Sequence, residues 1–91
     1  MTDTVAIADP QAVKVRVNVE GATEQTPLRL EWLNDRDQSL GEPAVVTTSG
    51  TQVAVKWPQP LSVKKGDRVA LRAIFPKEAD TRVYSLYIDQ P

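Results

Sequence analysis

Between Ala12 and Glu20 apolar and polar residues alternate without a break. Val13, Val15, Val17 and Val19 share one face, and Lys14, Arg16, Asn18 and Glu20 share the other. Period-2 alternation with β-branched residues on one side predicts a half-buried antiparallel strand. Leu28 to Asn34 repeats the pattern, with Leu28, Leu30 and Trp32 inward and Arg29 and Glu31 outward. Ala44 to Thr48 and Gln52 to Trp57 are expected as two strands joined by a hairpin turn at Ser49-Gly50. Arg68 to Phe75 should bury Val69, Leu71, Ala73 and Phe75, with Arg68 and Arg72 on the opposite side. Thr81 to Ile88 is the last strand. Both of its faces are fairly apolar, so it is expected to be central or to present one face to a partner.

The stretches between these strands carry turn and loop chemistry. GATEQTP and NDRDQSLGEP are polar connections, Pro58 and Pro60 interrupt the ladder, and PKEAD turns the chain. In PLSVKKGDRVALRAIF, Lys64 and Lys65 fit the centre of a type I turn, and Gly66 fits the left-handed bulge position. Asp67 is placed to fold its carboxylate onto backbone donors, and Leu61 to Val63 would then pair with the strand that follows. No segment keeps helical spacing over three turns. The expected fold is all-β: a small antiparallel β-sandwich, immunoglobulin-like or jelly-roll-like, of six to seven strands. An extended N-terminal arm over residues 1–10 would precede a single domain over 11–91. Val5 and Ile7 in that arm alternate with small residues, as an edge strand added to its own sheet or to a neighbour's would require.

Composition narrows the chemistry. The chain has 91 residues, enough for one core, and at this size roughly 60–65% of the unfolded chain's surface is buried. Histidine and cysteine are both absent. Ser–His and Cys–His nucleophiles are therefore excluded, as are disulfides and the usual zinc, haem and iron–sulfur ligand sets. Neither phosphate-binding glycine motif is present. Asp35 and Asp37 are the nearest carboxylate pair, but they lie in a loop, and no catalysis and no cofactor are expected. Asp35, Asp37 and Ser39 match the first oxygen positions of a calcium loop. Position six is Leu40 in place of glycine and position twelve is Val46 in place of glutamate, so a solvated turn is the expectation and no metal is assigned. A leader with a cationic start and apolar run is lacking, and the start at Met1 suggests a whole gene product. No apolar stretch approaches the ~20 residues of a membrane helix, so no membrane partner is expected.

Charge is uneven along the chain. Eight acids against four bases up to Val45 give −4, and four acids against seven bases afterwards give +3. Lys14, Arg16, Lys56, Arg68, Arg72 and Arg82 would line a nucleic-acid groove if folded together, with Tyr84 and Tyr87 as stacking platforms. Against this stand a pI of 5.3 and the acidic neighbours of each basic strand, so no nucleic-acid partner is assigned.

The segment PLSVKKGDRVALRAIF with the terminal RVYSLYIDQP resembles the late hairpin of accessory β-sandwiches: immunoglobulin-like modules, C1q-like jelly rolls and carbohydrate-binding modules. As a whole, the chain resembles the small immunoglobulin-like decoration (cement) proteins of tailed-phage capsids. Size, absence of cysteine and histidine, and the N-terminal arm carry that likeness. It implies a non-catalytic structural protein that binds the outer capsid surface, often as a trimer at a symmetry axis, with the virion surface as its location. No residue role transfers with it. The expected partner-binding residues are Val5 and Ile7 on the arm, Lys64, Lys65, Arg68 and Arg72 facing an acidic protein surface, and Tyr84 on the last strand. The alternative is a carbohydrate-binding or adhesion module, in the bacterial cytoplasm or outside the cell, which requires exposed aromatic rings.

Overall fold

Seven strands form in the computed structural model, which describes residues 2–77 and 80–91. They are β1 (Val5–Ala6), β2 (Lys14–Glu20), β3 (Leu28–Asn34), β4 (Ala44–Val46), β5 (Gly50–Ala54), β6 (Arg68–Ile74) and β7 (Arg82–Asp89). A four-stranded sheet has the order β1-β6-β3-β4 and a three-stranded sheet the order β5-β2-β7, with every pairing antiparallel. The chain is thus an all-β sandwich. The pairs β2–β5 and β3–β6 interlock, one in each sheet, because the chain crosses between sheets after β2 and again after β5. Immunoglobulin domains set the first strand beside the second and the last beside the penultimate. Here β1 lies beside β6 and β7 lies beside β2.

The alternating valines of β2 are the centre of the core. Val15, Val17 and Val19 are buried and face Leu28, Leu30 and Trp32 of β3 and Val69 and Leu71 of β6 across the sandwich. At ~25 cal/mol per Å2 of apolar surface, full burial of one such side chain contributes about 1.5–3 kcal/mol before entropy is subtracted. Trp57 stacks on Trp32 at 5.2 Å between ring centroids and 26° between planes, closing one end of the core. Ser49 fastens the loop after β2 to the crossover after β4: its hydroxyl accepts from Ala22 N–H at 3.1 Å and lies 3.3 Å from Ala22 C=O.

β7 resolves the ambiguity of its two apolar faces with a bulge. Asn18 pairs with Ser85 and Val19 with Val83, leaving Tyr84 as an extra residue. The bulge shifts the phase, so Val83, Leu86 and Ile88 all pack against the core.

Several expectations are corrected by the sheet topology. Ser49-Gly50 is not a hairpin turn, because β4 pairs with β3 while β5 pairs with β2 in the other sheet. Stacked sheets lie ~10 Å apart, which a two-residue turn cannot span but the extended Thr47–Ser49 stretch can. Leu61 to Val63 is not a strand. Both edges of β6 are taken, by β1 and β3, so no side is left for it to pair with. Phe75 lies just beyond the last β3–β6 pair, Arg29–Ile74, and is 49% exposed instead of buried. Glu31 is 7% exposed although it points outward, because Arg72 reaches across from β6 and pairs with its carboxylate. The predicted PKEAD turn includes Glu78 and Ala79, which lie outside the described residues.

The N-terminal segment is part of the sandwich. Val5 pairs with Val69 and Ala6 with Arg68. Thr2 N–H donates to Leu71 C=O and Ile7 N–H to Asp67 C=O, both at 2.9 Å, which extends the ladder in both directions. Residues 2–8 therefore lie along this chain's own sheet.

Candidate interaction surfaces

The KKGD segment is a tight turn with its centre one residue later than the sequence suggests. Asp67 N–H donates to Lys64 C=O at 3.0 Å, which makes Lys65 and Gly66 the central pair. Gly66 has φ +92°, the left-handed value that glycine takes without steric cost. Asp67 does fold back: its carboxylate accepts from Lys64 N–H at 2.9 Å. The turn is anchored to the N-terminal segment just past β1, since Gly66 N–H donates to Ile7 C=O at 2.7 Å. Lys64 and Lys65 are both exposed at its tip.

Beside that tip lies the outer face of the four-stranded sheet. Strand register sets Val45, Arg29 and Ile74 in one row across β4, β3 and β6. Val45 is 50% exposed and Ile74 is also exposed, so an arginine stands between two uncovered apolar side chains. The next row holds Glu31 and Arg72, and the one after it Leu33 and Ala70. Leu33 and Ala70 are fully buried although they point outward. Arg68 closes the face, donating to Thr4 Oγ1 at 3.2 Å and Thr4 C=O at 3.0 Å. Arg29 has no ion pair among the described residues, and Arg68 is held by the neutral hydroxyl and carbonyl of Thr4. With Glu31 offsetting Arg72, the face is cationic, and Lys64 and Lys65 continue it at one edge.

The outer face of the three-stranded sheet is neutralised locally. Arg16 donates through Nε and Nη2 to the two carboxylate oxygens of Asp89 at 2.6 and 3.0 Å, and its guanidinium lies 4.6 Å from the Tyr87 ring centroid. The hydrogen bonds from Arg16 hold the Asp89 carboxyl below the ordinary aspartate range. Tyr84, 59% exposed, donates its hydroxyl to Glu20 at 2.6 Å. That carboxylate holds the phenol above its ordinary range.

The predicted contact residues divide between surfaces. Lys64, Lys65, Arg68 and Arg72 belong to the four-stranded sheet and its edge, and Tyr84 to the other sheet. Val5 is half-buried on β1. Ile7 is 1% exposed and packs in the core, so its side chain offers nothing to a neighbour. The six basic residues of the expected nucleic-acid groove are likewise split, with Arg68 and Arg72 on one sheet, Lys14, Arg16 and Arg82 on the other, and Lys56 just past β5. The sequence did not single out Arg29, Val45 or Ile74. Their signal was present as three outward positions, but it needed the β4–β3–β6 order to bring them into one row.

Two clefts accompany these faces. One, of about 350 Å3, lies between the loop after β3 and the segment before β6 and is lined by Asp35, Arg36, Asp67 and Arg68 among others. Asp37 does not line it, so the two loop carboxylates are not brought to one cavity. Asn34 organises this loop, its Oδ1 accepting from Arg36 and Gln38 N–H at 2.8 and 3.0 Å. No cluster of three or more metal-ligating side chains occurs among the described residues. The second cleft, also about 350 Å3, is lined by Pro10, Gln11, Trp32, Trp57, Gln59 and Pro60 among others. Trp32 is buried at its floor, whereas Trp57 is only half-buried.

No protein-family model matches the chain, and no curated protein or solved structure matches it either. Among the described residues, no helix is long and apolar enough to cross a membrane.

Proposed function

We propose that this chain is a non-catalytic structural protein that binds another protein through the outer face of its four-stranded sheet. The observation that carries this reading is the row Val45–Arg29–Ile74, in which an exposed arginine stands between two exposed apolar side chains. Exposed apolar side chains on either side of a cation fit a partner surface that sets apolar contacts around an acidic group. The role that accords with the chain's size and resemblance is decoration of a tailed-phage capsid. There the protein binds the outer shell from solution and stabilises it, at the virion surface.

The test is co-sedimentation of the purified chain with capsids of its source that lack it. Binding should weaken as salt rises and weaken further in Arg29→Glu, whose side chain is exposed and can change without disturbing the core. Binding that is indifferent to both salt and Arg29→Glu would sink the charged-face reading. Failure to bind any capsid would sink the decoration role. Deleting residues 2–10 is a poor test, because it removes β1 and the buried Ile7 together.

A carbohydrate-binding role is the second reading, and the Trp57 cleft favours it. A half-buried indole backed by a second indole is a rigid stacking surface, and Gln11 and Gln59 supply amides for sugar hydroxyls. Neutral oligosaccharides should then shift tryptophan emission in the native chain and not in Trp57→Ala. No shift across a glycan panel removes this reading.

A further inference from the structure

The longest open strand edge in the sandwich belongs to β7. A central strand turns the N–H and C=O of alternate residues toward each neighbour. Val15 C=O accepts from Val55 N–H at 3.0 Å on the β5 side, so Lys14, Arg16 and Asn18 serve β7. Their partners on β7 are Asp89, Tyr87 and Ser85. The residues between, Leu86 and Ile88, therefore direct both backbone groups away from β2. None of these four groups finds a hydrogen-bond partner among the described residues.

The other edges are short or covered. One side chain takes two outward backbone groups at the end of β1 and just past it. Gln90 donates to Ala6 C=O at 3.0 Å and accepts from Ala8 N–H at 2.9 Å, imitating a paired strand. β4 has three residues and follows Pro43, and β5 has five with a register shift against β2. Short, irregular or covered edges resist strand addition. β7 has eight residues and runs regularly from Ser85 to Asp89, past the Tyr84 bulge. Two exposed aromatic residues, Tyr84 and Tyr87, stand on the same strand.

We propose that β7 pairs antiparallel with β7 of a second copy of this chain, about a two-fold axis at Leu86, forming one six-stranded sheet. The strand is self-complementary in this arrangement. Leu86 exchanges both backbone hydrogen bonds with Leu86 of the other copy. Counting the bulge, Ile88 meets Val83, and Arg82 at one end meets Asp89 at the other. The charge pairing therefore occurs twice by symmetry. Tyr87 lies next to the axis, where pairing covers its ring. The dimer does not use the outer face of the four-stranded sheet, so it stands or falls independently of capsid binding.

Sedimentation equilibrium from micromolar to millimolar concentration, combined with amide hydrogen exchange, tests this. The expected result is a monomer–dimer equilibrium in which Leu86 and Ile88 amides become protected at least tenfold as the dimer fills. The Val17 amide, bonded within the chain, should stay constant. Arg82→Glu, a change at an exposed position, should weaken the dimer about tenfold by setting like charges together at both ends. A monomer at every concentration overturns the proposal. So does a dimer that leaves Leu86 and Ile88 exchange unchanged, since it uses another surface. Protection that appears only when a different protein is added rejects a second copy as the occupant. An Arg82→Glu dimer as tight as the native one rejects the antiparallel register.

Discussion

Gly66 and Gly21 hold nearly the same backbone angle, with φ +92° and +84°, but in different surroundings. At Gly66 nothing lies within 4 Å of where a Cβ would stand. Gly66→Ala therefore meets only the left-handed backbone penalty, about 1–2 kcal/mol, partly offset by the ~0.4–1 kcal/mol that alanine takes from the unfolded chain's entropy. The expected net loss is about 1 kcal/mol, roughly 4–8 °C in Tm for a domain of this size. At Gly21 a Cβ would lie 2.5 Å from Asp80 O, 3.0 Å from its carbonyl carbon and 3.3 Å from Thr81 Cα. All three are backbone atoms and cannot rotate aside. Overpacking of this kind adds about 1–3 kcal/mol, so Gly21→Ala should cost about 2–4 kcal/mol in total. Urea unfolding of both variants at unchanged m-value gives the comparison directly. Gly66→Asn should be milder than Gly66→Ala, because asparagine tolerates the left-handed region. If Gly66→Ala costs as much as Gly21→Ala, the close approach of the β2 end to the start of β7 is wrong.

Three further outcomes are expected. Arg72→Met strands the buried Glu31 carboxylate and should cost about 1–3 kcal/mol, whereas the double variant Glu31→Leu with Arg72→Met should recover most of the loss in a urea double-mutant cycle. Ile7→Ala should cost about 2–5 kcal/mol by the same assay, a loss that a free arm would not show. Asp89 has its carboxyl pKa lowered in the folded state, so its contribution to stability is present above the ordinary aspartate range near pH ~4 and is lost as pH falls through the depressed value. The gap between native and Asp89→Asn urea midpoints should therefore be constant near neutrality and close in acid; a gap that widens in acid contradicts the pairing with Arg16.

The strands were legible where one face alone met the core. β2 and β3 alternate cleanly, and both form where the pattern puts them. The pattern failed where a residue's fate depended on its neighbour across the sheet. Glu31 has the look of a solvated glutamate until Arg72 is placed opposite it. Val45 and Ile74 belong to strands remote in sequence, and only the β4–β3–β6 order joins them around Arg29. Ser49-Gly50 has hairpin chemistry, but local turn preference cannot tell a hairpin from a crossover between sheets. Tyr84 broke the period of β7, and a one-residue bulge is invisible to a period-2 reading. In KKGD, Gly66 and Asp67 act as their residue types suggest. What the sequence did not reveal is that the turn is tied to Ile7 of the N-terminal segment. That tie fixes Lys64 and Lys65 at the edge of the arginine face.

Binding to protein-depleted capsids, measured by co-sedimentation for the native chain and Arg29→Glu across a salt series, is the most direct test of the central claim. Salt-sensitive binding by the native chain, reduced in the variant at low salt, is the predicted result. Equal, salt-independent binding by both chains, or no binding by either, would contradict it.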